Sequence, residues 1–426
     1  MRHALVRLIA AAVLAGCGAV GAGLAALAAG PNDTWTPAGV LGERLTSPVF
    51  ALAVDPADGR RVLAGTASGA IYLSADGGAS WRSVRRGSGH AVLALAFDPA
   101  RRDAILAGTS GAGIWRSGDA GQSWQSQPGT DSRTVRAFAF LDTAVLAAGD
   151  EGMLSSRDGG GQWSGAGLPQ VRVSALAVLP AGARNGTVVA GGDATRGGDP
   201  LPLFSSADGG RTWAPVPVAV SGGVVGGSSM VAALAGGPAP RQGGGPLLVG
   251  TNTGLYVTRD QGGSWQKLTG GDVPDTDVSS LATAPRHADR VYIASDGGGS
   301  SQGGLWVSPD AGGHFSSLAA PVPGVTAVAV SGDDSPALIV ATFRAADHAV
   351  ALWTYRDTGG QPKGPAAAPS PRTARPAGGA APASRGGFPL ADVVARPETP
   401  YLVLGLAALA LVVLAAVVSL RRGGHF

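Results

Sequence analysis

Ser74-Ala-Asp76-Gly-Gly78-Ala-Ser80-Trp81 decides the fold, because the chain writes this turn six times. The other copies are Ser117-Gly-Asp119-Ala-Gly121-Gln-Ser123-Trp124, Ser156-Arg-Asp158-Gly-Gly160-Gly-Gln162-Trp163, Ser206-Ala-Asp208-Gly-Gly210-Arg-Thr212-Trp213, Thr258-Arg-Asp260-Gln-Gly262-Gly-Ser264-Trp265 and Ser308-Pro-Asp310-Ala-Gly312-Gly-His314-Phe315. Their aspartates stand 43, 39, 50, 52 and 50 residues apart. The residues before each copy alternate as a strand does, as in Ala70-Ile-Tyr-Leu73 and Gly254-Leu-Tyr-Val257. A repeat of that length, built from short alternating strands, marks a β-propeller with one four-stranded blade per repeat.

The form of the turn follows from its chemistry. Ser and Asp side chains accept hydrogen bonds from backbone N–H groups inside a tight turn, and Gly takes the positive φ that the turn demands. The closing Trp brings a large ring to pack between sheets. Asp76, Asp119, Asp158, Asp208, Asp260 and Asp310, with Trp81, Trp124, Trp163, Trp213, Trp265 and Phe315, are therefore read as structural. The motif resembles the Asp-box, or BNR repeat, of sialidases, sortilin-type receptors, xyloglucan hydrolases and the photosystem II assembly and stability factors. The layout is most similar to that of the last group. The resemblance covers roughly residues 35–358 and implies that the turns lie on c–d hairpins, at the rim away from the ligand face. It does not imply one function, since the families that share it differ widely.

Seven inner strands are legible: Val49–Val54, Ala91–Phe97, Val135–Phe140, Val173–Val178, Met230–Leu234, Val278–Ala282 and Val325–Val330. That is one more than the clear turns. The seventh unit ends in Leu352-Trp353-Thr-Tyr355-Arg-Asp357-Thr-Gly359, a degraded turn with no Trp after it. The missing residue stands at the other end of the chain, in Trp35-Thr-Pro-Ala-Gly39. The expected fold is all-β: a seven-bladed propeller of four-stranded blades over residues 31–358. Its last blade is closed by joining the N-terminal segment to the C-terminal repeat, which removes an open sheet edge.

The ends point to a membrane. Residues 1–30 carry Arg2 and Arg7 and then an apolar run, the pattern of an export signal. Leu14-Ala15-Gly16-Cys17 resembles a bacterial lipobox, with lipid on Cys17, while Ala26-Leu27-Ala28 offers an ordinary cleavage site; both readings stand open. Residues 359–399 are rich in Pro, Ala and Gly and read as a disordered stalk. Residues 400–420 are apolar for long enough to span a bilayer. Arg421 and Arg422 follow, which places tail 421–426 in the cytoplasm and the propeller outside. The single cysteine excludes a disulfide framework. The chain's net charge of +3 arises at its ends. Residues 31–358 hold 23 Lys/Arg against 27 Asp/Glu, a net of −4 that gives no support to nucleic-acid binding.

No catalytic set is found. A sialidase needs a Tyr–Glu pair, an arginine cluster and an Arg-Ile-Pro motif; the last is absent, and residues 31–358 hold only Glu43 and Glu151. Tyr72, Tyr256, Tyr292 and Tyr355 all have repeat-level structural explanations. Other glycosidases need two carboxylates across a cleft, and Asp193, Asp275, Asp277 and Asp347 read better as turn residues. The six histidines form no HxH or HExxH pattern. Asp272, Asp275 and Asp277 lack the spacing of a calcium loop. Neither a metal nor a cofactor is assigned.

Propellers bind ligands on the face made by the d–a and b–c loops. There the sequence places Arg85, Arg86, His90, Arg133, Arg136 and Arg172 on consecutive blades, a cationic sector suited to an acidic partner. The long b–c loops 191–200, 295–304 and 343–349 are the other place for specificity. In the photosystem II factors an arginine patch contacts the client, although the stalk and anchor depart from that family. The expected protein is a non-catalytic, membrane-anchored, extracytoplasmic scaffold for a protein partner. The alternative is a surface carbohydrate-binding or glycoside-hydrolase-like protein.

Overall fold

The computed structural model describes residues 32–41, 48–179, 187–194, 201–218, 230–236, 245–260, 262–268, 273, 277–299 and 303–360. The expected signal, Cys17, Asp272, Asp275, the membrane segment 400–420 and nearly all of the stalk lie outside those residues. Among the described residues no helix is long and apolar enough to cross a membrane.

Seven four-stranded antiparallel sheets form a seven-bladed β-propeller. In blades 1 to 6 the strands follow chain order from the inner strand a to the outer strand d. Strand b is the most deeply buried element: Ile105–Thr109, Val145–Gly149, Val188–Gly192 and Leu247–Thr251 have no residue that is not buried. It has a neighbouring blade on both faces, so it reads as a continuous apolar run. The inner strands start one or two residues later than the sequence suggests in blades 2, 5 and 6, at Val92, Val231 and Ser280.

The repeated turn joins strands c and d, and its geometry is the same in all six copies. The Ser or Thr hydroxyl donates to the Asp carboxylate, at 2.8 Å for Ser74 to Asp76 and 2.9 Å for Ser308 to Asp310. That hydroxyl accepts the N–H of the Gly two residues after the Asp at 2.8 Å every time. The carboxylate closes the turn by accepting the N–H of the residue before the aromatic, as from Ser123 at 2.9 Å and Thr212 at 2.9 Å. The Ser123 hydroxyl and then its N–H hold the Asp119 carboxyl down at about 2, and Ser264 does the same for Asp260. These acids stay ionised at any physiological pH, with their lone pairs committed to the turn.

This Gly has a further role that the turn alone does not require. Its φ is positive, at 90° in Gly160 and 85° in Gly210. A Cβ there would come within 2.7 Å of Leu106 Cδ2 and 2.8 Å of Leu146 Cδ1, side chains on strand b of the preceding blade. Gly78 meets Ile339, and Gly312 meets Leu248, in the same way. The turn therefore ends one blade and seats it on the last.

The ring closes as the sequence implies. Thr36–Pro37 pairs antiparallel with Ala349–Arg356 and becomes the outer strand of blade 7. Trp35 is fully buried, lies 4.9 Å from the Tyr355 ring, and donates from Nε1 to the Leu318 carbonyl at 2.8 Å. Trp213 and Trp265 grip Ala166 and Pro217 at the equivalent place in the preceding blades. Asp33 completes the closure by accepting the Thr358 N–H at 2.9 Å and its hydroxyl at 2.6 Å. This is the bidentate clasp of the repeated turn, made between the two ends of the ring. Asp357, at the vacant turn position, instead accepts the Tyr292 hydroxyl at 2.7 Å and pairs with Arg290 at 3.4 Å.

Candidate binding face

The two faces of the propeller differ in what their polar groups do. On the face made by the c–d turns, the carboxylates are held internally, as above. The d–a and b–c loops form the other face, and five of the six candidate residues sit there in loops or at a strand end. Arg136 lies at the same end of the blade, as the second residue of inner strand Val135–Phe140.

Each candidate has a definite setting. Arg85 closes the outer strand of blade 1, lies over the Trp115 ring at 4.0 Å, and donates to the Gly69 carbonyl. Burial lowers its pKa, but a guanidinium remains charged throughout the physiological range. Arg86 is exposed and has no side-chain partner among the described residues. His90 Nδ1 stands 2.8 Å from the Ser110 carbonyl. Arg133 pairs with Glu151 at 2.8 Å, and Arg136 with Asp150 at 2.6 Å. Arg172 bridges Asp193 at 3.2 Å and Asp150 at 3.5 Å. A cavity of about 290 Å³ lies beside this last network, between blades 3 and 4.

The pairing redistributes the charge. Over blades 3 and 4 the arginines are matched by acids that follow strand b, so that stretch is a neutral ion network. Loops 86–91, 67–70 and 110–113, around the junction of blades 1 and 2, contain no carboxylate. The unmatched positive charge is there, on Arg85 and Arg86.

One pair escaped the sequence reading. Asp277, before the inner strand of blade 6, is hydrogen-bonded to Asp296, after its strand b. Burial, then the hydrogen bond to Asp296 and its charge, push the Asp277 carboxyl up to about 7. The two acids are 19 residues apart in Gly-rich loops, and no local pattern links them. Among the described residues no group of three or more His, Cys, Asp or Glu is placed to hold a metal ion.

No family model matches the chain, and no curated protein matches it in sequence. The matches are to solved structures. YCF48 from Cyanidioschyzon merolae is 14% identical, with a TM-score of 0.52 over 76% of this chain and 98% of that one. YCF48 bound to a D1 peptide is 16% identical, with a TM-score of 0.53 over 77% and 98%. U3-55K is 13% identical, with a TM-score of 0.55 over 77% and 100%. An ancestral GH74 enzyme aligns at 17% identity and a TM-score of 0.44, over 78% of this chain and 57% of its own. At such identities the likeness is one of fold.

Proposed function

We propose that this chain is a non-catalytic protein-binding module that meets its partner on the d–a/b–c face, at the junction of blades 1 and 2. The observation that carries this reading is the uncompensated pair Arg85 and Arg86. They stand on the one stretch of the candidate sector where the flanking loops hold no acid. A fixed positive patch on a domain of net negative charge steers an acidic segment toward it. The YCF48 propeller that holds a D1 peptide supports the reading by showing that a propeller of this size accommodates a peptide. In the same proposal residues 1–30 export the domain, residues 359–399 form a stalk, and residues 400–420 anchor it with the propeller outside the cytoplasm. The twenty apolar residues followed by Arg421 and Arg422 support that arrangement.

The test is in-cell crosslinking of the tagged full-length chain, comparing wild type with Arg86→Glu. Arg86 is exposed and has no side-chain partner among the described residues, so its reversal leaves the fold intact. A stoichiometric protein partner that is depleted in the variant is the expected result. Equal recovery of every protein from both strains refutes the reading and turns attention to the alternative, a surface carbohydrate-binding protein.

A further inference from the structure

The sevenfold repeat supplies its own control at the mouth of the central channel. Six inner strands carry a β-bulge that leaves one extra residue at their second position: Phe50, Leu93, Arg136, Ser174, Ala232 and Thr326. Ser279 holds the corresponding place in blade 6, just before strand Ser280–Ala284. Bulges re-aim side chains at the rims of closed sheets. Where the extra residue bears a hydroxyl, it fastens the next blade. Ser174 donates to the Val231 carbonyl, Ser279 to Val325 at 2.7 Å, and Thr326 to Val49 at 2.9 Å.

The other bulge residues carry no hydroxyl: Arg136 of blade 3 pairs with Asp150, Ala232 of blade 5 offers only a methyl group, and blades 1 and 2 present large apolar side chains. Their extra residues are Phe50 and Leu93, which have no carbonyl to hold and remain in contact with solvent. Phe50 is 44% exposed, and among the exposed large apolar side chains of the described residues only Val40 exceeds it. The two are on adjacent, packed inner strands. From them the loop 86–91 runs outward over the b–c turn of blade 1 to Arg86 and Arg85 on the outer strand. Four strands separate centre from edge, three gaps of about 4.8 Å, or about 14 Å in all. An extended chain covers that distance in about four residues.

We infer that the Phe50–Leu93 step at the channel mouth is the apolar half of the partner seat. The seat then takes an extended acidic peptide with an apolar side chain at the channel and a carboxylate about four positions away, on Arg86. This rests on the protein-binding reading and deepens it. The acid-free loops around the junction supply the charge complementarity, and the unused bulge positions supply the anchor. A carboxylate group alone does not need Phe50 or Leu93, and an apolar segment alone does not need Arg86.

The experiment is selection of a random dodecapeptide display library on the full-length chain, repeated on Phe50→Ser/Leu93→Ser and on Arg86→Ser. Phe50 and Arg86 are exposed and Leu93 is half-buried, so the melting temperatures of both variants are checked against wild type. Enrichment of peptides with an apolar residue and an acid four apart is expected. A labelled consensus peptide then binds at least about tenfold more weakly to each variant. Peptides reselected on Phe50→Ser/Leu93→Ser keep the acid and lose the apolar position. Enriched peptides whose affinity ignores Phe50 and Leu93 overturn the seat and leave the protein-binding reading standing. No enrichment on any of the three chains overturns both.

Discussion

Removing the Trp35 side chain measures how much of this ring depends on its first described residues. Trp→Ala in a core costs about 3–5 kcal/mol, and Trp35 is fully buried against Tyr355. The Leu318 carbonyl also loses its donor, which adds roughly 1–3 kcal/mol. A loss near 5 kcal/mol is therefore expected. Unfolding entropy of about 2.1 cal/mol/K per residue, over roughly 330 residues, comes to about 0.7 kcal/mol/K. Trp35→Ala should lower the melting temperature by about 7 °C.

Two comparisons separate closure from ring burial in general. Trp35→Phe keeps most of the buried ring and loses the hydrogen bond, about 1–2 kcal/mol, for a fall of about 2 °C. Trp124 fills the same position in blade 2, but it is half-buried and its Nε1 has no partner. Trp124→Ala should cost about half as much as Trp35→Ala. Differential scanning calorimetry reads all three. Hydrogen exchange along Ala349–Arg356 reports whether the last blade loosens first. If Trp35→Ala melts no lower than Trp124→Ala, the N-terminal strand is an ornament on a ring that closes without it.

Two further expectations follow. Gly160→Ala forces an L-residue to a φ of 90° and drives its Cβ to within 2.7 Å of Leu106; it should lose about 2–4 kcal/mol, whereas Gly165→Ala, with open space around it, should stay within about 0.5 kcal/mol, both read from urea midpoints. Asp277 binds its proton more tightly folded than unfolded, so its effect on stability is absent below the unfolded carboxyl range and grows unfavourable as pH rises toward about 7; Asp277→Asn should therefore raise the urea midpoint at pH 8 and leave it nearly unchanged at pH 4, and a pH-independent difference would remove the shared proton from the account.

The blade count and the borrowed Trp35 were legible in the sequence, because each is written as a local pattern that recurs every 39 to 52 residues, and the c–d placement of the turns came with the family resemblance of that pattern. Asp33 was not. It sits in no turn motif, and its partner Thr358 is 325 residues away. The Gly two residues after each turn's Asp was read as a conformational need, and only the packed ring shows that it also makes room for the neighbouring blade's Leu or Ile. Asp296 was missed for the same reason as Asp33: its meaning depends on a contact between two loops that share no pattern. The arginines were legible as residues on one face but not as charges. Their pairing with Asp150, Glu151 and Asp193 depends on which residue follows strand b in the fold.

That last difference bears on how function is read from a repeat protein. In a propeller every structural task is set seven times, so a residue's role is judged against six counterparts. The turn carboxylates, the seating glycines and the hydroxyls that join one blade to the next all meet that comparison as structure. Arg133, Arg136 and Arg172 meet it too, once their acids are included, since each balances a charge brought by the strand beside it. Phe50, Leu93 and Arg86 do not: they hold positions where another blade places a staple or where no acid answers, and their removal leaves every described hydrogen bond intact. Departures that serve nothing inside the ring are where an outside partner is to be sought, and the two large apolar ones at the bulge position stand with the unanswered Arg86 at one junction.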